Sequence, residues 1–488
     1  MMAAIPAGAF AAGQTTGTTA TKPAANSGKL NVVYFLCDDL GYGDLSCTGQ
    51  KKFSTPHVDQ LRAEGMLFTQ HYSGCPVSAP SRCSLMTGLT TGHTYIRGNM
   101  QANANPDDEG QIPIPADTYT LAKLFKSAGY ATGAFGKWGL GYPGSEGDPV
   151  KQGFDRFYGY NCQAVAHRYY PPHLWDGLTK VILKGNENGG KKVYAPDLIV
   201  AEALKFIDTN KNNPFFLFVP ITLPHAELLA PEDDILFRFR GVFQERPYKG
   251  EDYGPGMSMM GYTSQPEPYA TFAAMVTRMD VYFGQLMAKL KADGLDKNTI
   301  IFFSSDNGPH REGGANPDFF RSYGPFRGIK RDMWEGGIRL PLIVWKPGMV
   351  KPNSTCTHIC AMWDMMPTFA DLLGTKLPAD VKTDGISIWP SITGKGVQKD
   401  HDYLYWEFHE LGGRVAVRQG NWKLVIYNVD DPKKRQTFLY DLSEDIHEDV
   451  DLSRVYPDIT NRMVEIARNA RTPNKYWNFD SPLGDITD

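Results

Sequence analysis

The run Ser78–Gly88 reads SAPSRCSLMTG and places a hydroxyl side chain four residues before an arginine. A serine hydroxyl is a weak nucleophile, so Ser78 needs a base, a metal ion or a covalent modification before it can do chemistry. The spacing predicts that Arg82 reaches back to residue 78 over one helical turn, although an ordinary surface arginine is the alternative. A plain helix start would explain Pro80 and Ser81 as turn and cap residues, but it would not explain the complete run.

Two pairs of adjacent polar residues, Asp38–Asp39 and Asp306–Asn307, each follow directly on a short apolar run. Carboxylates side by side at the end of a buried strand repel one another and lose hydration, so they need a compensating charge. Their oxygens, together with the amide oxygen of Asn307, are hard ligands that favour Ca²⁺ or Mg²⁺ over zinc. The alternative is that the first pair caps a helix and the second pair forms a turn.

Short apolar runs that end in polar clusters recur along most of the chain. Their length and their richness in Val, Ile and Phe predict strands that are buried on both faces of a parallel sheet. Segments with a helical spacing of apolar residues lie between them. The pattern predicts an α/β fold with a large, doubly wound, mostly parallel sheet flanked by helices. The predicted strands are 31–37, 130–135, 214–220 and 299–304, and the predicted helices are 117–128, 197–208 and 269–293.

This topology brings together polar residues that are far apart in the sequence. In an open α/β sheet, ligands bind outside the carboxyl ends of the parallel strands. We therefore expect one site at that edge of the sheet, formed by Asp38, Asp39, Lys137, His225, Asp306 and Asn307.

The pattern changes after about residue 400, where short alternating segments predict a small antiparallel sheet with one helix. Gly420 and Asn421 fit the turn of a hairpin between two of these strands. We expect a leader at 1–28, an α/β catalytic domain at 29–400 and an α+β subdomain at 401–488. The predicted strands of the subdomain are 403–408, 414–418, 422–427 and 437–442, and its predicted helix is 458–470.

The bulk composition excludes several classes of partner. The chain has 488 residues, is 42% apolar and 21% charged, and carries a net charge of −4. No broad basic field is present, so nucleic acid is not an expected partner. No apolar run reaches about eighteen residues, so no membrane span is predicted. Residues 1–28 read as a disordered leader or a signal-peptide remnant, because the start is small and apolar but the first basic residue is Lys22.

Cysteine usage does not indicate a disulfide scaffold or a zinc site. The chain has 7 cysteines, an odd number, at no spacing typical of a metal site. A single bridge, such as Cys356–Cys360, is the alternative in an oxidising compartment.

The run at Ser78 resembles the signature of the type I sulfatases, (Cys or Ser)-x-Pro-Ser-Arg-x-x-x-(Leu or Met)-Thr-Gly, in which the first residue is oxidised to formylglycine. The matching positions are Ser78, Pro80, Ser81, Arg82, Thr87 and Gly88. The resemblance extends from about Asn31 to about Leu452 and includes CDDLGYGD, FGKWGLG, LPHAE, SSDNGPH and GIKRDMWEGGIR. It implies a bacterial carbohydrate sulfatase of the alkaline phosphatase superfamily, periplasmic or secreted, with a maturation enzyme as a partner.

The same resemblance implies roles for individual residues. Asp38, Asp39, Asp306 and Asn307 would bind a calcium ion together with residue 78 in its formylglycine form. Lys137 would bind sulfate, His225 would bind substrate, and Lys330 would lie near the leaving oxygen. In that family, one oxygen of the hydrated aldehyde attacks sulfur and the other then expels sulfate. His225 or Lys330 would protonate the departing alcohol, and an unmodified Ser78 would stall as a sulfate ester.

Two positions depart from the family pattern. The modified position is Ser78 instead of cysteine, and a native serine implies an oxygen-independent bacterial maturation route, whereas an engineered Cys→Ser exchange would leave the same residue. Gly139 stands where many relatives have a histidine that contacts formylglycine. His167 is our candidate to replace that histidine, with a structural histidine as the competing interpretation. His310 is a candidate for the pocket around the sulfate.

Aromatic and polar clusters at 169–175 and 406–410, with Arg97 and Asn99 after the signature, favour a sugar substrate. We expect a glycosaminoglycan or galactan fragment that carries galactose or N-acetylgalactosamine sulfate. A phosphoester or phosphonate hydrolase is the nearest enzymatic alternative, because the same oxygen ligands suit either anion. A sulfoglycan-binding protein without activity is the alternative of a different class, if Ser78 is never oxidised.

Overall fold

The computed structural model describes residues 28–101 and 109–483, and one large mixed β-sheet forms its centre. The predicted leader lies outside the described residues, apart from Gly28. Among the residues that are described, no helix has the length and apolar character needed to cross a bilayer.

The strands form two separate sheets. The large sheet has the order β10-β2-β9-β8-β1-β7-β3-β4-β5-β6, with β11 also paired to β2, and the small sheet has the order β12-β13-β14-β15. The strands are β1 (Asn31–Asp38), β2 (Met66–Tyr72), β3 (Ala131–Lys137), β4 (Arg156–Tyr160), β5 (His173–Asp176), β6 (Thr179–Ile182), β7 (Phe215–Pro224), β8 (Thr299–Ser305), β9 (Arg339–Trp345), β10 (Ser354–Cys356), β11 (Cys360–Ala361), β12 (Leu404–Phe408), β13 (Arg414–Gln419), β14 (Trp422–Tyr427) and β15 (Gln436–Asp441).

Helices cover both faces of the large sheet, because its central strands are apolar on both sides. In β1, Val33 and Phe35 pack in one core with α1, α4 and α6, whereas Val32 and Tyr34 pack in the other core with α2, α3 and α9. The helices are α1 (Pro56–Glu64), α2 (Ser78–Thr87), α3 (Leu121–Ser127), α4 (Ala195–Asn210), α5 (Asp234–Phe237), α6 (Pro268–Ala292), α7 (Pro317–Phe320), α8 (Glu335–Ile338), α9 (Met365–Leu372), α10 (Trp389–Thr393) and α11 (Pro457–Asn469).

The predicted α/β fold is confirmed, with two differences of detail. The four predicted strands are β1, β3, β7 and β8, and they lie side by side as parallel neighbours in the order β8-β1-β7-β3. The predicted helix at 117–128 begins only at Leu121, because the Thr120 side chain caps it by accepting a hydrogen bond from the Lys123 N–H at 3.2 Å. The antiparallel strand β9, inserted between β2 and β8, was not predicted.

The small sheet and α11 form the predicted antiparallel unit near the C-terminus. One face of the sheet packs on α11, and the other face packs on β2 and on the segment that precedes α9. A buried ion pair also connects it to the main domain, since Glu407 on β12 accepts a hydrogen bond from Arg97 at 2.7 Å. The division of the chain at residue 400 remains a prediction.

All 7 cysteines are free thiols, so the Cys356–Cys360 bridge does not form. Cys356 lies on β10 and Cys360 lies on β11, and both strands pair separately with β2.

Gly136 allows β3 to approach β7 closely just before Lys137. Its φ is +139°, and an added Cβ would lie 2.1 Å from the carbonyl oxygen of Pro220. We expect Gly136→Ala to lower the free energy of unfolding by about 3 kcal/mol, because backbone atoms would have to move. Gly144→Ala is the matched control, since Gly144 has a φ of +80° but no atom within 4 Å of the added Cβ. We expect it to cost about 1 kcal/mol in urea unfolding. Equal losses in the two variants would contradict this interpretation.

Candidate active site

The structure brings the polar residues at the carboxyl ends of four parallel strands into one buried cluster. Asp38 ends β1 and Lys137 ends β3, while His225 follows β7 and Asp306 follows β8. Asp38, Lys137 and Asp306 are each 0% exposed. Ligand binding at this edge of the sheet is what the topology predicts.

Ser78 is the first residue of α2 and points its hydroxyl into this cluster. The Ser78 Oγ lies 2.9 Å from Asp38 Oδ1 and 3.4 Å from Asn307 Oδ1. The Lys137 Nζ lies 3.5 Å from the same Oγ. The signature therefore delivers its first side chain to the acidic residues that lie far from it in the sequence.

The acidic residues are linked to one another by amide and backbone hydrogen bonds. The Asn307 Nδ2 donates to Asp39 Oδ1 at 2.6 Å, which leaves the Asn307 Oδ1 on the side of Ser78. The Asp39 N–H donates to Asp306 Oδ1 at 3.1 Å. Asp39 has a φ of +61°, a conformation that few side chains other than Asn and Asp adopt readily.

Three cations neutralise the three carboxylates. Lys137 Nζ lies 2.7 Å from Asp38 Oδ2, and Lys330 Nζ lies 2.8 Å from Asp39 Oδ2. Arg82 binds Asp306 Oδ2 through two nitrogens, at 2.8 and 3.0 Å. The guanidinium binds Asp306 and the carbonyl oxygen of Lys137, and it also lies 3.3 Å from Asp38 Oδ2, on the carboxylate that Ser78 contacts. A direct contact of Arg82 with residue 78 remains a prediction.

Protonation follows from this arrangement of charges. Burial alone would raise the pKa of Asp38, but the charges of Lys137 and Arg82 hold it well below its usual range. The pKa of Asp306 is raised to about 6, chiefly by burial and then by the neighbouring Asp38. Both carboxylates are therefore largely ionised at neutral pH, and their oxygens can act as acceptors or ligands.

The donor set fits a hard divalent cation. Asp38, Asp39, Asp306 and Asn307 offer only oxygen atoms, and the oxygens of Asp38 and Asn307 converge on the Ser78 Oγ. Potential ligand atoms of Asp38, Asp39 and His225 lie within 4.8 Å of one another. Calcium and magnesium prefer such oxygen sets. A metal site is thus compatible with the geometry, and the identity of the ion is taken up as a proposal below.

Three histidines line one side of the cluster. The His225 Nε2 lies 3.6 Å from Asp39 Oδ2, and the His225 ring stacks on His167 with centroids 5.1 Å apart and on His310 at 6.0 Å. Burial, followed by the charges of Lys330 and Lys137, lowers the pKa of His225 well below its ordinary value. Burial likewise lowers the pKa of His167 to about 4. Both rings are therefore neutral at neutral pH.

His310 differs from the other two histidines. Its Nε2 lies 3.2 Å from the carbonyl oxygen of Pro224, and its Nδ1 lies 3.3 Å from Glu312 Oε2. Burial disfavours its charged form, but Glu312 and Asp39 raise the pKa of His310 above the ordinary value. His310 thus lies next to His225 and is paired with Glu312, and its place in the pocket around the sulfate remains a prediction.

Gln163 fills the space beside Gly139. The φ of Gly139 is +80°, and an added Cβ would lie 2.8 Å from Gln163 Nε2. That amide nitrogen is buried and has no hydrogen-bond partner among the described residues. A side chain at position 139 would therefore require the Gln163 amide to move, so Gln163 occupies the space next to this position. No sequence pattern pointed to Gln163.

The two residues predicted to bind the sugar differ in their surroundings. Arg97 is 1% exposed and its guanidinium is bound to Glu407, so it joins the small sheet to the main domain and is withdrawn from substrate. Asn99 is exposed, and its Oδ1 accepts a hydrogen bond from the Ala79 N–H at 3.1 Å. It therefore lies at the surface directly beside Ser78.

Sequence reasoning missed Glu312 and Arg331 at the rim of the site. Arg331 follows Lys330, has a φ of +75°, and forms an ion pair with Glu312. Its side chain is 35% exposed, whereas Lys330 is almost fully buried. Strained backbone beside a buried site is typical of positions fixed for ligand binding. In the sequence, Arg331 could have been recognised as a site residue only because it directly follows Lys330.

Comparison with known families identifies this architecture. The model of the sulfatase family matches residues 30–375, which contain the signature and every residue of the acidic cluster. The chain belongs to the sulfatase family. A second model, described as N-sulphoglucosamine sulphohydrolase, C-terminal, matches residues 324–471 and includes the small sheet. Members of the family hydrolyse sulfuric esters, so the chain is a sulfuric ester hydrolase.

Individual relatives carry the same family name. The chain is 31% identical over 415 residues to N-acetylgalactosamine-6-sulfatase of Mus musculus, with 81% of this chain and 72% of that protein covered. It is 27% identical over 526 residues to N-acetylgalactosamine-6-O-sulfatase of Bacteroides thetaiotaomicron, with 92% and 94% covered. A crystal structure of Ps i-CgsB in complex with k-i-k-neocarrahexaose superposes with a TM-score of 0.73 at 27% identity, covering 90% of this chain and 91% of that chain.

The ion pair between Lys137 and Asp38 is expected to be much stronger than an exposed pair. We expect Lys137→Ala to lower the free energy of unfolding by about 3 kcal/mol in chelator-treated protein, because it leaves a buried carboxylate short of one partner. Lys126→Ala is the control, since Lys126 pairs with Asp155 at 2.8 Å but is 54% exposed. It should cost less than about 1 kcal/mol. Urea unfolding of both variants measures the difference, and a small loss for Lys137→Ala would contradict it.

Proposed function

We propose that the chain hydrolyses a sulfate ester on a carbohydrate, with galactose or N-acetylgalactosamine sulfate of a glycosaminoglycan or galactan fragment as substrate. The position of the Ser78 hydroxyl, 2.9 Å from Asp38 and at the start of α2, is the observation that carries the proposal. Two relatives named for N-acetylgalactosamine 6-sulfate support the choice of sugar. The complex of Ps i-CgsB with a neocarrahexaose supports a saccharide substrate.

The proposed reaction requires two groups that the polypeptide does not itself provide. The formylglycine oxidised from Ser78 would supply the oxygen that attacks sulfur. A calcium ion held by Asp38, Asp39, Asp306 and Asn307 would lower the pKa of that hydroxyl and neutralise the sulfate oxygens. A maturation enzyme that oxidises Ser78 is therefore a proposed partner, and the periplasm or the exterior of the cell is the proposed location.

The chain's own residues would bind and orient the sulfate group. Helix α2 directs its N-terminus, the positive end of its dipole, toward the position of the anion. Lys137 and Lys330 add two ammonium groups to the same pocket. Donors that are fixed before the reaction stabilise the charge that develops on the sulfate oxygens in the transition state.

Proton transfer to the leaving oxygen is assigned to Lys330. Burial lowers its pKa, but Asp39 and Glu312 raise it more strongly, so Lys330 keeps its proton. His225 is neutral for the reasons given above and would act as a hydrogen-bonding group. His310 and Asn99 would lie further out, around the sulfate and the sugar. His167 remains the candidate for the contact that the family assigns to the missing histidine.

The substrate class is tested by release of sulfate. We expect the chain to hydrolyse an aryl sulfate and at least one sulfated galactose or N-acetylgalactosamine, with kcat/KM at least about 100-fold higher than for the matching aryl phosphate. A panel of defined sulfated monosaccharides, assayed by ion chromatography of released sulfate, identifies the sugar. Turnover of the aryl phosphate in preference to the sulfate would contradict the proposal and favour a phosphoester hydrolase.

Oxidation of Ser78 is tested by mass spectrometry of the tryptic peptide that contains it. We expect a peptide that lacks two hydrogens relative to the encoded sequence when the protein is made in a bacterium with a serine-type maturation system. Ser78→Ala should leave the mass at the encoded value and abolish sulfate release. An unmodified and inactive wild-type protein that still binds sulfated sugars would instead support a binding function.

A further inference from the structure

A cavity of about 320 Å³ lies beside the site, between the loop after α2 and the C-terminal part of the chain. Asn99 and Met100 line it on one side, and Glu410, Trp477 and Asp480 line it on the other. Its volume falls at the lower end of the range for small-molecule sites. None of the roles derived above makes use of this space, apart from that of Asn99 at its edge.

Two hydrogen bonds connect the wall of the cavity to the residue after Ser78. The Asn99 Oδ1 accepts from the Ala79 N–H at 3.1 Å, and the Asn99 N–H donates to Glu410 Oε1 at 3.2 Å. The cavity therefore adjoins the position of a sulfated ring whose ester lies at Ser78. A second ring linked to that residue would lie next to Glu410.

The lining combines apolar contact with carboxylate acceptors. Met100 is 42% exposed, and the half-buried Tyr476 adds an aromatic ring to the lining, whereas Trp477 is only 3% exposed. Glu410, Asp430 and Asp480 supply three carboxylates. Among the described residues that line the cavity there is no lysine or arginine, so the lining itself carries net negative charge, while Arg331 at the rim of the active site acts on Glu410 from outside it.

We propose that this cavity binds an uncharged sugar ring that is linked to the sulfated residue. The proposed subsite rests on the proposed function and extends it by specifying the sugar next to the sulfated residue. Carboxylates accept strong, charge-assisted hydrogen bonds from sugar hydroxyls, and the apolar wall suits the face of a ring. A hexuronate in the same place would bring a further negative charge against Glu410, Asp430 and Asp480, which is unfavourable. The preferred substrates are therefore sulfated oligosaccharides with a neutral neighbour instead of a uronic acid.

The test compares two disaccharides with the same sulfated terminal residue, which is the monosaccharide sulfate that the protein hydrolyses best. In one disaccharide the neighbouring sugar is a neutral hexose, and in the other it is a hexuronate. We expect kcat/KM for the neutral neighbour to be about 10-fold higher in the mature wild-type protein. In the double variant Asp430→Asn and Asp480→Asn, this ratio should fall toward one. Asparagine at position 430 can still accept the hydrogen bond from the Asp480 N–H that the structure shows at 3.0 Å.

The matched control is the double variant Asp371→Asn and Asp380→Asn, which removes the same charge from two exposed positions that do not line the cavity. Its ratio should equal that of the wild type. A wild-type ratio near one, or an equal change in the control, would overturn the proposed subsite. Turnover of an aryl sulfate is measured in parallel. If the wild-type protein does not hydrolyse the aryl sulfate, the sulfatase activity itself is contradicted, whereas a failure confined to the disaccharides contradicts only the subsite.

Discussion

Charge compensation among buried side chains is the constraint on which the rest of the structure depends. Asp38, Asp39 and Asp306 are each fully buried, and carboxylates without partners there would unfold the protein or take up protons. Each receives a cation from a different part of the chain, from α2, from the end of β3 and from the loop before α8. The sheet, the signature helix and that loop are thereby held in one arrangement, and the oxygens that remain free face Ser78.

The sequence predicted the strands of the large sheet that are buried on both faces. The strands β1, β3, β7 and β8 are apolar on both faces, and that composition alone indicates a central parallel sheet. The direction of β9 was not predictable, because a buried antiparallel strand such as Arg339–Trp345 has the same composition as a parallel one. Strand order depends on long-range packing that no local pattern contains.

The sequence predicted the site residues that lie at, or directly after, the carboxyl ends of the parallel strands. Asp306 and Lys137 come directly after or at the end of buried strands, so the topology places them together. The partner of Arg82 could not be read from spacing, because its guanidinium follows the strongest buried charge instead of the nearest residue along the helix. Gln163 and Arg331 lie in irregular segments, where position depends on contacts between loops and no periodic pattern exists.

If Ser78 is oxidised as proposed, its burial would also fix an order of events during biosynthesis. Its side chain is 1% exposed and is held between α2 and the acidic cluster in the folded protein. An oxidising enzyme that has to bind the residues around Ser78 would not reach them in the folded protein, because α2 is buried along its whole length. Oxidation would thus have to occur on the nascent or translocating chain, before the sheet closes around it. Rapid folding in the absence of that enzyme would lock the polypeptide permanently in its unoxidised form.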